Sequence, residues 1–370
     1  MAAGGLATAI AALALGGRAR SDEPVTSDVR FTREIIRIMQ RKCLGCHSPG
    51  GLSMSLADYP EVRAWGRAIR EEIIEQRMPP WSAAPGYGRF RSELALSARE
   101  EATLLSWLDG GMRRGDGRDL PPREETPDPE GVEPDRRLPA APQRIPADRE
   151  LVVRRVTLQT GLATDRWVRR VVVRPGDRRV LRGALVFDAG GLAAPGQWLG
   201  AWRPGPQNTT APPAPHAFRL RARSRLALVL YYRGAGEPVV DRPALELYFA
   251  AGGPTRPIDE IAVAARPDGD GGRRRGEATL PRESTVWALQ PSPGERAASL
   301  ELRARRPDGS VEVLLWMPEC RPEWPQALVL EEPVVLPAGT VVSLITYDRT
   351  LPTTARGSPS DPRVVLSVLR

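Results

Sequence analysis

Three residues near the start of the chain have a spacing that can attach an iron cofactor. Cys43 and Cys46 are separated by two residues, and His47 follows directly. In the attachment motif of a c-type haem, two thiols one helical turn apart add to the haem vinyl groups and the adjacent imidazole binds iron. With three cysteines and two histidines in 370 residues, chance gives this motif on the order of 10⁻⁴ times per chain. We therefore expect one covalently bound haem c.

Two other roles are open to a Cys-x-x-Cys pair. A redox-active pair of the thioredoxin type needs a βαβ context, and half of a zinc site needs a second pair of ligands. The sequence around the motif shows no βαβ pattern. A second pair of zinc ligands is also missing, because the chain has just one further cysteine and one further histidine, Cys320 and His216. We expect Cys320 to be a buried free thiol, with an intermolecular disulfide as the alternative.

A methionine is the expected sixth ligand of the iron, because no second histidine lies near the motif. We favour Met78, which is followed by two prolines of fixed φ that stiffen the chain and can aim the thioether. Pro79 and Trp81, in the same Met-Pro-Pro-Trp sequence, are expected to contact the haem. The rival candidates are Met39, Met54 and Met112. Ligation by His and Met closes the iron to substrates and suits electron transfer.

The elements that must position these residues are predicted from apolar spacing. Helical patterns begin at Phe31 and run into the motif, continue over 59–76, and start again at a capped Ser97. They predict a small all-α domain over 22–114. Residues 115–148 are rich in proline and acidic residues and predict a linker. From residue 149 the apolar period changes to two, which predicts an all-β tandem jelly-roll or β-sandwich region with halves at 149–255 and 256–370.

Charge does not indicate a nucleic-acid partner. The chain has 53 basic and 45 acidic residues, for a net charge of +8. Lys42 is the single lysine, and so lopsided a preference for arginine indicates a GC-rich genome rather than a phosphate-binding face. Aromatic residues make up 5% of the chain, which leaves few rings for base stacking. The basic excess falls in the β region and suggests a docking surface.

The first 21 residues are predicted to be a signal peptide. An uncharged apolar run of about 12 residues ends in small residues, and it is shorter than a membrane span. A start codon further upstream would instead make this segment a membrane anchor, and a frayed Ala-rich terminus of a cytosolic protein is the other alternative. Covalent haem attachment takes place outside the bacterial cytoplasm. We therefore expect a periplasmic or cell-surface protein, and association with the membrane through its N-terminus or a partner stays open.

The motifs resemble a known family at residues 31–111. The sequence Cys-x-x-Cys-His-x-Pro-Gly-Gly at 43–51, Met-Pro-Pro-Trp at 78–81 and the closing helix at 96–107 resemble class I cytochrome c domains of multidomain secreted bacterial proteins. The resemblance implies His47 as the proximal ligand and Met78 as the distal ligand of the iron.

The β region resembles the tandem jelly-roll domains of copper type II, ascorbate-dependent monooxygenases. The resemblance rests on residues 160–168, 171–180, 307–309 and 336–340. The copper ligands of that family are missing: Leu-Arg-Gly at 181–183 and Tyr-Tyr at 231–232 stand where the family has histidines. Copper needs several converging donors, so we expect no copper and a non-catalytic β platform.

These features favour an exported monohaem c-type cytochrome for one-electron transfer, which is not an enzyme. Its β platform is expected to dock on a redox protein or a membrane electron-transfer complex. The first alternative is a haem-stapled structural or accessory subunit of a respiratory or photosynthetic complex. The second is a haem-fed copper monooxygenase, which the missing ligands disfavour.

Overall fold

A computed structural model describes most of the chain. It covers residues 27–91, 93–122, 132–148, 150–189, 196–205, 209–252, 255–269, 271–294, 296–321, 323–349 and 361–369. The predicted signal peptide at 1–21 lies outside these residues, and so do residues 123–131 of the predicted linker. Strands make up 42% of the described residues and helices 14%, so this part of the chain is mostly β.

The helices of the described residues all precede the β region. They are α1 (Ile36–Lys42), α2 (Tyr59–Ala64), α3 (Gly66–Ile74) and α4 (Ala98–Asp109), with a π-helical turn at Phe31–Ile35 and a 3₁₀ turn at Gly117–Asp119. Asp58 and Ser97 begin α2 and α4 through capping boxes with the glutamate three residues further on. The apolar faces pack into one small cluster that includes Ile35, Met39 and Trp107.

The first β-sandwich follows the helical segment. Its strands are β1 (Arg136–Pro139), β2 (Gln143–Ile145), β3 (Leu151–Gln159), β4 (Arg166–Arg174), β5 (Leu181–Asp188), β6 (Trp198–Trp202), β7 (Thr209–Thr210), β8 (Phe218–Leu220), β9 (Arg225–Arg233), β10 (Val239–Asp241) and β11 (Ala244–Phe249). One sheet has the order β1-β11-β4-β7 with β8 also paired with β4, the other has the order β3-β9-β5-β6, and β10 pairs with β2. Alternating side chains of both sheets meet in one core around Trp198, Phe218 and Tyr232.

The second β-sandwich completes the chain. Its strands are β12 (Ile258–Ala264), β13 (Arg266–Pro267), β14 (Arg273–Thr279), β15 (Ser284–Ser292), β16 (Ala297–Arg305), β17 (Val311–Met317), β18 (Leu328–Leu336), β19 (Val341–Asp348) and β20 (Arg363–Leu369). The two sheets have the orders β12-β20-β15-β18 and β13-β14-β19-β16-β17, and the paired strands are antiparallel. Their core includes Leu300, Leu344 and Leu366, each fully buried.

The prediction of a distinct all-α cytochrome c domain before the β region is wrong. The longest helix has 12 residues, and the chain between α3 and α4 joins the second sandwich instead of closing on the helices. Ala83 and Phe90 lie in the core of that sandwich, and Phe90 forms an antiparallel bridge with Leu330 of β18. Backbone pairing with an edge strand satisfies amide and carbonyl groups that a short helical segment leaves open. The helices are therefore packed onto a mostly β molecule.

Candidate functional site

The Cys-x-x-Cys-His motif forms a tight turn at the end of α1. The amide of Cys43 still donates to the Met39 carbonyl at 2.9 Å, and the amides of Cys46 and His47 donate to the Cys43 carbonyl at 3.1 and 3.0 Å. The preceding Lys42 fixes the end of the helix, because its Nζ donates to the carbonyls at residues 93 and 95. Both motif cysteines are half-buried and free of a disulfide, so two thiols are available for thioether bonds.

The protonation of His47 is fixed by a backbone contact. Its Nδ1 lies 3.0 Å from the carbonyl oxygen of Met54. A carbonyl oxygen can only accept a hydrogen bond, so Nδ1 carries the proton and Nε2 keeps its lone pair. Burial lowers the pKa of the imidazole, and the hydrogen bond to Met54 opposes this in part. The result is a neutral, oriented imidazole, the form that binds a metal, held in the way that second-shell partners usually hold such a ligand.

Both motif thiols are protonated at neutral pH. Burial raises the pKa of Cys43 to about 12, and the neighbouring Cys46 thiol adds to this effect. Burial also raises the pKa of Cys46 to about 11, although the positive charges of Arg203 and Arg182 act in the opposite direction. These two arginines belong to the first sandwich, so the β region reaches the motif electrostatically.

The structure separates the methionines that could complete the iron coordination. Met39 is fully buried in the helical core, and the sulfur of Met112 packs tightly against Gly66. Met54 and Met78 are each 37% exposed. The carbonyl of Met54 accepts the hydrogen bond from His47 Nδ1, so Met54 lies on the side of the imidazole opposite the free Nε2. Among these four candidates, Met78 is therefore the methionine that is accessible and not tied to the Nδ1 side of the imidazole.

Met78 lines a small cavity between the helical segment and the second sandwich. The cavity has a volume of about 240 Å³ and is lined also by Pro79, Trp81, Leu96 and Arg321. Cys43, Cys46 and His47 do not line it. The three predicted contact residues Met78, Pro79 and Trp81 thus come together in one place, next to the second sandwich, and the structure does not join them to the motif in a common cavity.

Residues of the first sandwich contact both the motif and the Met-Pro-Pro-Trp sequence. A Cβ added to Gly45 would lie 2.5 Å from the Cα of Gly205, so Gly45 cannot carry a side chain where the two backbones touch. The guanidinium carbon of Arg203 lies 4.7 Å from the centre of the Trp81 ring. Burial lowers the pKa of Arg203 to about 10, and the guanidinium stays charged at neutral pH. Sequence reasoning missed these contacts because they join residues far apart in the chain.

A second arginine stands beside the first on the same hairpin. Arg182 of β5 stacks on Trp324 with 4.2 Å from its guanidinium carbon to the ring centre. Because Ala184 of β5 pairs with Trp202 of β6, Arg182 and Arg203 lie at the same end of this hairpin. Burial, together with the charge of Arg233, lowers the pKa of Arg182. The site therefore combines two thiols, one oriented imidazole and two desolvated positive charges.

The residues present fit a covalently attached haem in their donor chemistry. The two thiols are unbridged and the imidazole exposes its Nε2 lone pair, as thioether formation and iron ligation require.

No cluster of three or more His, Cys, Asp or Glu side chains that could hold a metal ion occurs in the described ranges. None of the helices in the part of the chain that the structure covers is long and apolar enough to cross a membrane.

Comparison with known proteins gives structural neighbours of the β type. No family model matches the chain, and no curated protein matches it. Two allantoicase structures are similar to it: one at 12% identity and a TM-score of 0.19, covering 59% of this chain and 78% of the other, and one from Saccharomyces cerevisiae at 11% identity and a TM-score of 0.21, covering 60% and 79%. Vicilin from Capsicum annuum follows at 10% identity and a TM-score of 0.14, covering 59% and 75%.

These neighbours are too distant to carry an argument. The secondary structure corrects the resemblances drawn from the sequence, because the described residues are mostly β with four short helices and contain no cytochrome c-like helical domain. The resemblance to class I cytochrome c domains and the resemblance to copper type II monooxygenases are therefore both wrong. A short attachment motif specifies chemistry and leaves the surrounding fold open.

Proposed function

We propose that the chain is an exported one-electron carrier with one haem c, attached through Cys43 and Cys46 and ligated by His47. The observation that carries this proposal is the hydrogen bond of His47 Nδ1 to the Met54 carbonyl, which orients a neutral imidazole beside two unbridged thiols. A neutral imidazole with Nδ1 on a backbone carbonyl and Nε2 open is the form in which histidine binds a metal.

Each residue has a defined task in this proposal. The bound haem supplies the one-electron redox chemistry. Cys43 and Cys46 hold it covalently, His47 is the proximal ligand, and Met78 supplies the distal thioether, with Pro79 and Trp81 shaping its surroundings. Met78 lines a cavity that the motif does not share, so ligation by Met78 is the part of this proposal that the methionine variants below test.

The β region is proposed to serve the same electron-transfer task. Its arginine-rich surface is suited to docking on an acidic face of a redox protein or a membrane electron-transfer complex, because charge complementarity steers such encounters. Export to the periplasm or cell surface is proposed from the predicted signal peptide and from the compartment in which haem is attached. The proposed role is that of a carrier rather than an enzyme, and no copper is part of it.

Haem attachment is tested on the full chain expressed in a bacterial host that exports and attaches haem. We expect a c-type reduced-minus-oxidised spectrum and a haem stain that survives denaturing electrophoresis. The double variant Cys43→Ala/Cys46→Ala should lose the stain, whereas the control Cys320→Ala should keep it, because Cys320 is free and buried at 1% exposure away from the motif. A colourless wild-type protein from a competent host would overturn the proposal.

A thiol count gives an independent readout. The chain has three cysteines, of which two become thioethers on haem attachment. Alkylation followed by mass spectrometry should label none in the native haem-loaded protein and one after unfolding, because burial raises the pKa of Cys320 to about 12 and shields it from reagents. Three labelled thiols after unfolding would contradict covalent attachment.

The distal ligand is tested by comparing two equally exposed methionines. Met78→Ala should open the sixth coordination position, so that added imidazole or carbon monoxide binds the haem and the reduction potential falls. Met54→Ala is the rival variant, since both side chains are 37% exposed. Binding of the added ligand in Met54→Ala and not in Met78→Ala would show that Met54, and not Met78, ligates the iron.

A further inference from the structure

One edge of the first sandwich is long, regular and open to solvent. Strand β3 lies at the end of its sheet and, among the described strands, pairs with β9 alone, over nine residues without a bulge. Its backbone makes no hydrogen bond to any other element in the described ranges, and the strand contains no proline. An edge of this kind presents a row of unpaired N–H and C=O groups to which a further strand can pair.

The other long edges of the molecule are covered by neighbouring segments. The edge at β18 pairs with residues 89–91, and the edge at β17 accepts a hydrogen bond from the Ala84 amide. At β12, the side chain of Gln197 donates to the carbonyl of Ile258. Of the edge strands of seven or more residues that the structure describes, β3 is thus the one without such a contact.

Two exposed apolar side chains and two arginines follow each other along β3. Leu151 and Val153 are 41% and 46% exposed, and Arg154 and Arg155 come next. Leu151, Val153 and Arg155 share one face of the sheet because side chains alternate along a strand. Arg154 lies on the opposite face, where its charge acts on Tyr232. A strand added at this edge therefore meets a positive charge on each of its faces.

The surroundings of this edge are also positively charged. Strand β1, which contacts β3, adds the exposed side chains of Arg136 and Arg137, and β9 adds that of Arg225. Among the described residues, no ion pair with an acidic side chain is formed by these three arginines or by Arg154 and Arg155. Their charge is therefore available to a partner.

This charge selects the occupant of the edge. A second copy of the chain, paired antiparallel along the full strand, would place the central residue Arg155 opposite itself, and like charges in that position destabilise a sheet. Charged residues at an edge, one of them on the inner face, act against unspecific pairing. A strand with acidic residues opposite Arg154 and Arg155 instead converts both charges into cross-strand ion pairs.

The edge lies at the same end of the first sandwich as the haem-attachment motif. Val153 pairs with Tyr231 of β9, and Tyr231 pairs with Gly183 of β5. Arg182, next to Gly183, acts electrostatically on the Cys46 thiol. A strand added to β3 lies three strand spacings from β5, which is about 14 Å. A protein held there is brought close to the motif.

We propose that β3 is a docking strand for an extended acidic segment of the partner protein, which adds to the sheet as an antiparallel strand. The segment it recognises has two adjacent acidic residues opposite Arg154 and Arg155 and apolar residues opposite Val153 and Leu151. The inference rests on the proposed function in one respect, which is that the partner is the redox protein or complex. It names the surface that the proposed docking uses.

The test is the binding of a synthetic peptide to the haem-loaded full chain, followed by fluorescence anisotropy. The probe is a labelled peptide with blocked ends, Thr-Glu-Glu-Val-Thr-Val-Thr, and the control peptide has lysine in place of both glutamates. The wild-type chain should bind the acidic peptide about tenfold more tightly than the basic one. Equal affinity for the two peptides, or no binding of the acidic one, would overturn the docking strand.

Charge reversal on the protein tests the two arginines. The double variant Arg154→Glu/Arg155→Glu should lose the acidic peptide and bind the basic one instead. The matched control is Arg266→Glu/Arg305→Glu, which changes the net charge equally at two exposed arginines of the second sandwich and should bind like the wild type. An equal loss in both double variants would indicate attraction by net charge alone and would contradict recognition at β3.

Hydrogen exchange tests the strand pairing without any substitution. Pairing with β9 protects alternate amides of β3, so the bound acidic peptide should slow the exchange of the remaining, outward-facing amides. Binding without this added protection would refute strand addition. A wild-type dimer in sedimentation equilibrium that shows the same protection without peptide would assign the edge to a second copy and refute the acidic partner.

Failure of this inference is distinct from failure of the proposed function. A chain that keeps its haem stain and binds neither peptide retains the haem assignment and loses the docking strand. A chain without covalent haem that binds the acidic peptide as expected loses the electron-carrier proposal and retains the docking strand.

Discussion

The two sandwiches contact the helical segment in different ways. The second sandwich uses backbone pairing and buried apolar side chains: the amide of Arg91 donates to the Val329 carbonyl at 2.8 Å, and the amide of Ala84 donates to the Trp316 carbonyl at 2.7 Å. The first sandwich instead brings two arginines and one close glycine contact to the motif. One interface is apolar and paired through the backbone, and the other is charged.

Trp81 makes this difference visible in one residue. Its ring packs against the core of the second sandwich and is covered by Arg203 of the first. Substitutions at the contact between the helical segment and the second sandwich should therefore lower the unfolding free energy whether or not haem is present. Changes on the first-sandwich side should alter haem loading and redox behaviour more than they alter global stability.

The largest effect is expected from Phe90→Ala on the second-sandwich side. Phe90 is 2% exposed and belongs to the core of that sandwich. Removing a buried phenyl ring loses its transfer energy and leaves a cavity, which costs about 3–5 kcal/mol of unfolding free energy. Denaturant unfolding followed by tryptophan fluorescence measures the loss, which should be the same within error in haem-free and haem-loaded protein.

Tyr87→Ala is the matched control, because Tyr87 is an aromatic residue of the same segment that is 44% exposed. Its unfolding free energy should stay within about 0.5 kcal/mol of wild type. Equal losses in the two variants would mean that the 83–91 segment is not anchored through Phe90.

A smaller effect is expected from Gly45→Ala on the first-sandwich side. The added Cβ would lie 2.5 Å from the Cα of Gly205 and 3.0 Å from the carbonyl oxygen of Pro204. Backbone atoms cannot rotate away, so the hairpin must shift, which costs about 1–3 kcal/mol. We expect a lower fraction of haem-loaded protein, measured by the ratio of haem to protein absorbance.

Gly117→Ala is the control for this glycine, since nothing lies within 4 Å of its added Cβ. It should load haem like the wild type. Normal haem loading and normal unfolding free energy in Gly45→Ala would show that the contact between the motif and the first sandwich contributes to neither.

The local features of the site were predictable from the sequence. The apolar spacing predicts helices over 59–76 and from Ser97, and helices lie at 59–74 and 98–109, because caps and periodicity act within a few residues. The period of two predicts strands from residue 149, since alternation along a strand needs no knowledge of its partner. The turn of the Cys-x-x-Cys-His motif is likewise local.

The remaining features depend on contacts between distant residues. Phe90 pairs with Leu330 and Arg203 stacks on Trp81, and no pattern in a single sequence marks either pair. This is why the sequence predicts a helical domain for the segment after α3, which packs on the second sandwich. Composition predicts a general surface charge from the arginines, although Arg182 and Arg203 are desolvated beside the motif.

The smallest effect is expected where the second sandwich reaches the Met78 loop through a side chain. Arg321 donates to the carbonyls of Gln76 at 2.7 Å and Arg77 at 3.0 Å, and Glu319 holds its guanidinium at 2.6 Å. Gln76 has a φ of 53°, in the left-handed region that non-glycine residues rarely adopt. Arg321 therefore steadies a strained turn just before the proposed iron ligand.

Arg321→Met keeps the length of the side chain and removes its donors, which should cost about 1–2 kcal/mol of unfolding free energy. If Met78 ligates the iron, the loosened turn should also let added imidazole bind the haem at lower concentration than in the wild type, as measured by optical titration. Arg89→Met is the control, because Arg89 pairs with Glu331 and Glu332 at 3.5 Å on an exposed surface and should leave imidazole binding unchanged. Identical imidazole affinity in the two variants would show that Arg321 does not affect ligation of the iron by Met78. The second sandwich would then contribute to folding stability alone, and the difference between the two sandwiches would be larger.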